Sequence, residues 1–264
     1  MDTASSAVGL LQFVLNCFSQ IQLAREFESE FEIYQLKLDL IQLRLSRWGE
    51  VAKLISNTNS GAWEGRPTPS QPQPNDGPAD PENPTGDPAI SILIEIRATV
   101  TQAQRCAKKN KGSTVDQPLD PDASIAADLR GVHTRIKGFI NRRTSQTTKA
   151  VDSMKWAFYK RDHFDRFIAD VSYLTESLES LISEEDKAKL RELSSEECKG
   201  INKPNLEELK DIAQGCDPMM EDAADEALKN ARGGGTYFTQ SHNTGIVTGV
   251  NHGKITGTHY WGKS

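Results

Sequence analysis

From Arg25 to about Asn57 the apolar positions return at alternating four- and three-residue steps, through Phe27, Phe31, Tyr34, Leu38, Ile41, Leu45 and Trp48. That period predicts a helix. Ile33, Leu36, Leu40 and Leu43 widen the stripe until it must serve several neighbours rather than one. The same spacing recurs from Ala89 through Leu93, Ile96, Val100, Ala103 and Ala107. It recurs again behind an Asp120-Pro-Asp-Ala start signal, through Ile125, Leu129, Val132, Ile136 and Phe139. A further helix is expected from about Arg161 to Ser183 on Phe164, Phe167, Val171, Leu174, Leu178 and Leu181. A short one is expected through Val151, Met154 and Phe158, with weaker ones at 184–198, 205–214 and 218–231. The expected fold class is all-α, a multi-helix bundle over residues 1–230.

Residues 3–24 stand apart because they carry no charged side chain. On a helix, Ser5, Gln12, Asn16, Ser19 and Gln20 form a neutral polar face. Val8, Leu10, Leu11, Phe13, Val14, Leu15, Phe18 and Ile21 fill the rest, and they are the candidate membrane-inserting residues. About 20 helical residues just cross a hydrocarbon core of ~30 Å. The competing reading is that this helix packs on the bundle. Energetics barely separate the two, since each large apolar side chain gains roughly 1.5–3 kcal/mol on leaving water for a core or for lipid.

Two stretches break the helical pattern. Eight of the twelve prolines fall within residues 59–88, among few apolar residues, so a disordered Pro-rich loop is expected there. From Gly233 to Ser264 acidic residues vanish, and Gly, Thr, Asn and His alternate with β-branched residues. This tail holds a repeat with a period of eight. Gly245, Ile246, Val247, Thr248, Gly249, Val250 and Asn251 form the first copy, matched by Gly253, Ile255, Thr256 and Gly257 in the second. So short a β-prone unit cannot bury a core alone, but stacked on other chains it can satisfy every backbone group. A disordered Gly-rich tail stays open as the alternative. Residues 233–264 are therefore a candidate amyloid segment, with those eleven residues as its core.

Charge narrows the possible partners. The net charge is −6, and the tail contributes only lysines, so the body before it is the more acidic part. That balance argues against nucleic acid as a partner. Cys17, Cys106, Cys198 and Cys216 lie far apart with no CxxC, as expected of a reducing cytosol. Arg130, Arg135, Lys137, Arg142, Arg143 and Lys149 fall in a stretch without an acid, and they are the candidate ligands for anionic lipid headgroups. A solvated face balanced by acidic helices is the plainer reading of the same residues. His133 and His163 are read as isolated surface residues. His242, His252 and His259 lack metal-ligating company. The chain ends in Gly257-Thr-His-Tyr-Trp-Gly-Lys-Ser264, which spells a phosphate-loop pattern, but no helix follows to hold the phosphates. No catalytic constellation, cofactor motif or metal set stands out, so an enzyme is not expected.

The stretch QLAREFESEFEIYQLKLDLIQLRLSRWGEVAK resembles the start of the HeLo domain of fungal heterokaryon-incompatibility and prion-forming proteins. SQTTKAVDSMKWAFYKRDHFDRFIADVSYLTESLESLI and LEELKDIAQGCDPMMEDAADEAL resemble its later helices, and the Arg44-Leu-Ser-Arg-Trp-Gly-Glu50 string is the most specific part. The resemblance implies a non-enzymatic executioner of fungal regulated cell death, cytoplasmic when inactive. A C-terminal prion-type motif would be templated into amyloid by a partner, often a NOD-like receptor bearing a similar motif. The N-terminal segment, here Val8–Leu23, would then enter the plasma membrane. The implied partners are self, such a receptor and anionic membrane lipids. Ile246-Val-Thr-Gly249 is loosely similar to RIP-homotypic-interaction-type amyloid motifs. The alternative function is an adaptor or inhibitor that polymerises through its tail without perforating membrane.

Overall fold

The computed structural model of the chain describes residues 6–55, 87–110, 118–119, 124–144 and 155–233. Among these are eight helices and a two-stranded sheet: α1 Ala7–Ser19, β1 Ile21–Leu23, α2 Phe31–Val51, α3 Pro88–Asn110, α4 Arg130–Thr144, β2 Trp156–Phe158, α5 Arg161–Ser180, α6 Glu184–Cys198, α7 Lys203–Ala213 and α8 Pro218–Gly233. The helical bundle is as expected. The Pro-rich stretch up to residue 86 and the tail beyond Gly233 lie outside the described residues, as do the eleven candidate amyloid residues and Lys149.

α2 is the central helix. Leu36, Leu38, Leu40, Ile41, Leu43, Leu45 and Trp48 are all buried, on more than one side. This is the multi-neighbour packing that the widened stripe predicts, and α1, α4, α5, α6 and α7 all contact it. The helix is shorter than its stripe, however. Arg25–Glu30 form a 3-10 turn that places Phe27 in the core before α2 begins, against the edges of Tyr34 and Phe164 at 4.9 and 5.6 Å.

Start signals account for several helix positions. Asp87 Oδ1 accepts from Ala89 N at 2.9 Å, so Pro88 opens α3 where a missing N–H costs nothing. Ser183 Oγ caps α6 by accepting from Asp186 N, and Asn202 Oδ1 caps α7 by accepting from Asn205 N. The Asp120-Pro-Asp-Ala start signal lies outside the described residues. Ile125 and Leu129 are buried ahead of α4, which begins at Arg130.

Two expectations are corrected. Phe158 belongs to β2, not to a short helix, and β2 pairs in parallel with β1 in the register Ile21↔Trp156, Gln22↔Ala157, Leu23↔Phe158. Trp156, Phe158 and Tyr159, three aromatic residues within four positions, favour extended backbone, and the helical spacing of Val151, Met154 and Phe158 masked that preference. His133 is not a surface residue. It is buried on α4, with Nδ1 2.5 Å from Asp39 Oδ2. His163 is exposed, as expected.

Candidate functional site

The site is built around the uncharged segment. Ser6 starts α1 by accepting from Gly9 N at 3.1 Å, and the helix runs only to Ser19 before the chain turns extended at Ile21. Leu10, Leu11, Val14, Leu15, Cys17 and Phe18 are buried. Val8, at 37% exposed, and the half-buried Phe13 complete the apolar set on the helix. Ile21 is buried in β1 instead. Apart from the exposed Val8 and from Ile21 in β1, the candidate insertion residues line the inner face of α1, which packs on α3 and α2. Thirteen residues of helix rise about 20 Å, well short of a bilayer core of ~30 Å. No helix among the described residues is long and apolar enough to cross a membrane.

Three features seat α1. The first is Gly49, at the end of the Arg44-Leu-Ser-Arg-Trp-Gly string. A Cβ built there would lie 2.4 Å from Leu11 Cδ2 and 2.9 Å from Ile55 Cδ1. Leu11 therefore occupies the space that any side chain at position 49 would fill. The second is Gln42, whose Nε2 donates to Leu15 O at 3.0 Å and to Ser19 Oγ at 2.9 Å, tying the last turn of α1 to α2. The third is aromatic, with the Phe18 ring 5.5 Å from that of Phe167 on α5.

Gly49→Ala tests this seat. In an open helix the change stabilises by about 1 kcal/mol. Here overpacking against Leu11 should reverse the sign and cost about 1–3 kcal/mol. A lower urea midpoint with faster amide exchange confined to α1 is the expected result. A variant more stable than the parent would mean that α1 does not rest on Gly49.

Gln42 is held in turn by a polar cluster. Lys137 Nζ donates to Gln42 Oε1 at 3.4 Å and lies 2.8 Å from Asp39 Oδ1, while His133 holds the other Asp39 oxygen. Burial alone would raise the Asp39 carboxyl, but Lys137 and His133 keep it below the usual carboxylate range.

A larger ionic network lies deeper. Arg44 makes a two-pronged pair with Glu179, at 2.9 and 2.6 Å, and donates to Cys216 O at 2.9 Å. Arg47 pairs with Asp217, donates to Ser194 Oγ, and has Nε 3.1 Å from Glu197 Oε2. Arg143 reaches Glu197 Oε1 at 2.6 Å and Glu50 Oε2 at 2.5 Å. These pairs join α2 to α4, α5, α6 and the start of α8. Four carboxylates face three guanidiniums, so one negative charge is in excess. Burial and that excess raise the Glu197 and Asp217 carboxyls.

The candidate headgroup residues are scattered by this packing. Arg143 is turned inward to its carboxylates, which a basic run in sequence cannot reveal. Lys137 faces Asp39, and Arg135 donates to the carbonyls of Glu197 and Glu196 at 2.8 and 3.2 Å, capping the end of α6. Arg130 is exposed and donates to Ile125 O at 3.2 Å, and Arg142 lies over the Phe139 ring at 5.1 Å. The stretch is therefore partly structural, and among its described residues only Arg130 and Arg142 keep exposed positions.

The described residues hold no group of three or more His, Cys, Asp or Glu able to bind a metal. Burial pushes the Cys17, Cys198 and Cys216 thiols up, to about 11, 12 and 12, so none of the three is a thiolate near neutrality.

With this geometry in place, comparisons with known proteins carry weight. Residues 3–213 match the HeLo family, described as prion inhibition and propagation. The heterokaryon incompatibility protein s of Podospora anserina is 29% identical over 228 residues, covering 85% of this chain and 72% of that protein. The heterokaryon incompatibility protein S of the same fungus is 29% identical over 232 residues, with the same coverage. The solved structure of the HET-s N-terminal domain superposes with a TM-score of 0.70 at 27% identity, covering 86% of this chain and 99% of that domain.

Proposed function

This chain belongs to the HeLo family, and from that premise we propose that it is a membrane-disrupting executioner of fungal regulated cell death, triggered through its tail. HeLo proteins are generally non-enzymatic, and the reading calls for no catalysis. The observation that carries it is the state of α1, an uncharged helix with Leu10, Leu11, Val14, Leu15 and Phe18 of its apolar face buried on a seat built by Gly49 and Gln42. In the resting cytoplasmic protein that face completes the core. In the active protein the same face turns to the lipid of the plasma membrane. Because the apolar gain is similar in both places, the balance is set by smaller terms. Moving it from 1:99 to 99:1 takes about 5.5 kcal/mol, which templated assembly of the tail would supply by crowding N-terminal domains at the bilayer. Self-association and a partner bearing a similar motif, such as a NOD-like receptor, are the proposed triggers.

The test has two steps. A peptide of residues 233–264 is expected to form fibrils with the ~4.8 Å cross-β spacing, and Val247→Pro should block them by removing a ladder donor. Added to the full-length chain with dye-loaded anionic liposomes, those fibrils should release the dye. Fibrils that recruit the chain without leakage would assign it to the adaptor or inhibitor class. A peptide that stays monomeric would remove the trigger altogether.

A further inference from the structure

Between α3 and α5, beside β2, the surface opens into a cleft of about 780 Å³. Ala157, Phe158 and Phe167 form an apolar floor, and all three are buried. Ile94, 51% exposed, extends the apolar lining. Arg97 and Arg105 reach the cleft from α3 and Arg166 from α5, with His163 alongside. Arg97, Thr101 and Arg105 stand at successive four-residue steps, so they share one face of α3. Among the described residues, none of these three guanidiniums has a carboxylate within ion-pair reach. That sets them apart from Arg44, Arg47 and Arg143, which are each committed to carboxylates. Solvated surface arginines would be unremarkable if they diverged. These converge on one cavity with an aromatic floor, in the size range of ligand sites.

We propose that this cleft binds one anionic phospholipid. The phosphate is held by Arg97, Arg105 and Arg166, whose planar donors match phosphate oxygens in pairs, and the first part of an acyl chain lies on Phe158 and Phe167. The cleft touches α1 through its floor, where Phe167 meets Phe18, and through Arg97. The Arg97 guanidinium lies 5.0 Å from the centre of the Phe13 ring. Drawing it towards a phosphate removes that contact and loosens α1 where anionic lipid is abundant. This consequence rests on the membrane-acting reading of α1, but the binding itself does not.

The experiment is calorimetric titration of the full-length chain with dihexanoyl phosphatidic acid below its micelle concentration. Dihexanoyl phosphatidylcholine and glycerol 3-phosphate are run beside it. Phosphatidic acid is expected to bind at least tenfold more tightly than either. The triple variant Arg97→Gln, Arg105→Gln, Arg166→Gln should lose at least tenfold in affinity while its far-ultraviolet circular dichroism still shows the folded helical bundle. Asp170→Asn, which removes the acid that lines the cleft, should bind more tightly than the parent. Equal binding of phosphatidylcholine would reduce the site to an apolar groove. Equal binding of glycerol 3-phosphate would make it a free-phosphate site. A triple variant that binds like the parent would place the lipid elsewhere. Each of these three results overturns the proposal, and none depends on whether liposomes leak.

Discussion

Arg47→Ala is expected to cost about 3–5 kcal/mol, the range seen when one partner of a buried ion pair is removed. The change leaves Asp217 and Glu197 facing each other without their shared cation, at positions where both are almost fully buried. Against a total stability of about 5–15 kcal/mol for a domain, that loss should leave the variant poorly folded at ordinary temperature. Urea unfolding by far-ultraviolet circular dichroism is the measurement. Arg47→Met with Asp217→Leu and Glu197→Met should recover much of the loss, because apolar residues of similar size replace a buried ionic cluster at little net cost. A stable single variant would show that water reaches the network and screens it.

Phe13→Glu is expected to abolish membrane leakage while leaving the resting bundle intact. Leu11 and Val14 are poor places for a charge, since both are buried and either change would damage the core before any membrane is met. Phe13 is half-buried under the Arg97 guanidinium, so a carboxylate there gains a partner in the folded chain. Mid-bilayer, a charged side chain costs roughly 2.5–3.5 kcal/mol on insertion scales, repeated for every copy in an assembly. Seeded dye release should fall to background at an unchanged melting temperature. A folded, seed-responsive Phe13→Glu protein that still leaks as the parent does would remove α1 from the membrane step.

Much of the helical bundle is legible in the sequence because its helices are amphipathic. Phe164, Phe167, Val171 and Leu178 trace the buried face of α5, and the stripe of α2 announces a helix with several neighbours. Legibility fails where tertiary contact overrides local pattern. The Trp156–Phe158 strand exists only because β1 lies beside it, and three residues are too few to show a period. Arg44, Arg47 and Arg143 look like solvated charges, because their carboxylates are up to 170 positions away along the chain. Gly49 reads as a weak point in a helix until Leu11 is seen in its place. The α3–α5 cleft is hidden for the same reason, since Arg97 and Arg166 are 69 positions apart in sequence. The apolar residues of α1 are visible in the sequence, but their burial is not, because core and lipid ask for the same side chains.

The short parallel pair between β1 and β2 sets a threshold in the transition proposed for α1. Ile21, Gln22 and Leu23 are locked in register with Trp156, Ala157 and Phe158, and Ala24 N donates to Phe158 O at 3.0 Å. While that ladder holds, α1 cannot lengthen beyond about 20 Å, because its next residues are committed to extended backbone. A thermal excursion that lifts α1 off Gly49 therefore exposes a helix too short to span lipid, and it falls back. Only when the ladder opens as well can residues 7–23 wind into a rod approaching membrane thickness. In the proposed transition, these three residues of sheet would act as a fuse, making the passage from resting to armed all-or-none rather than gradual.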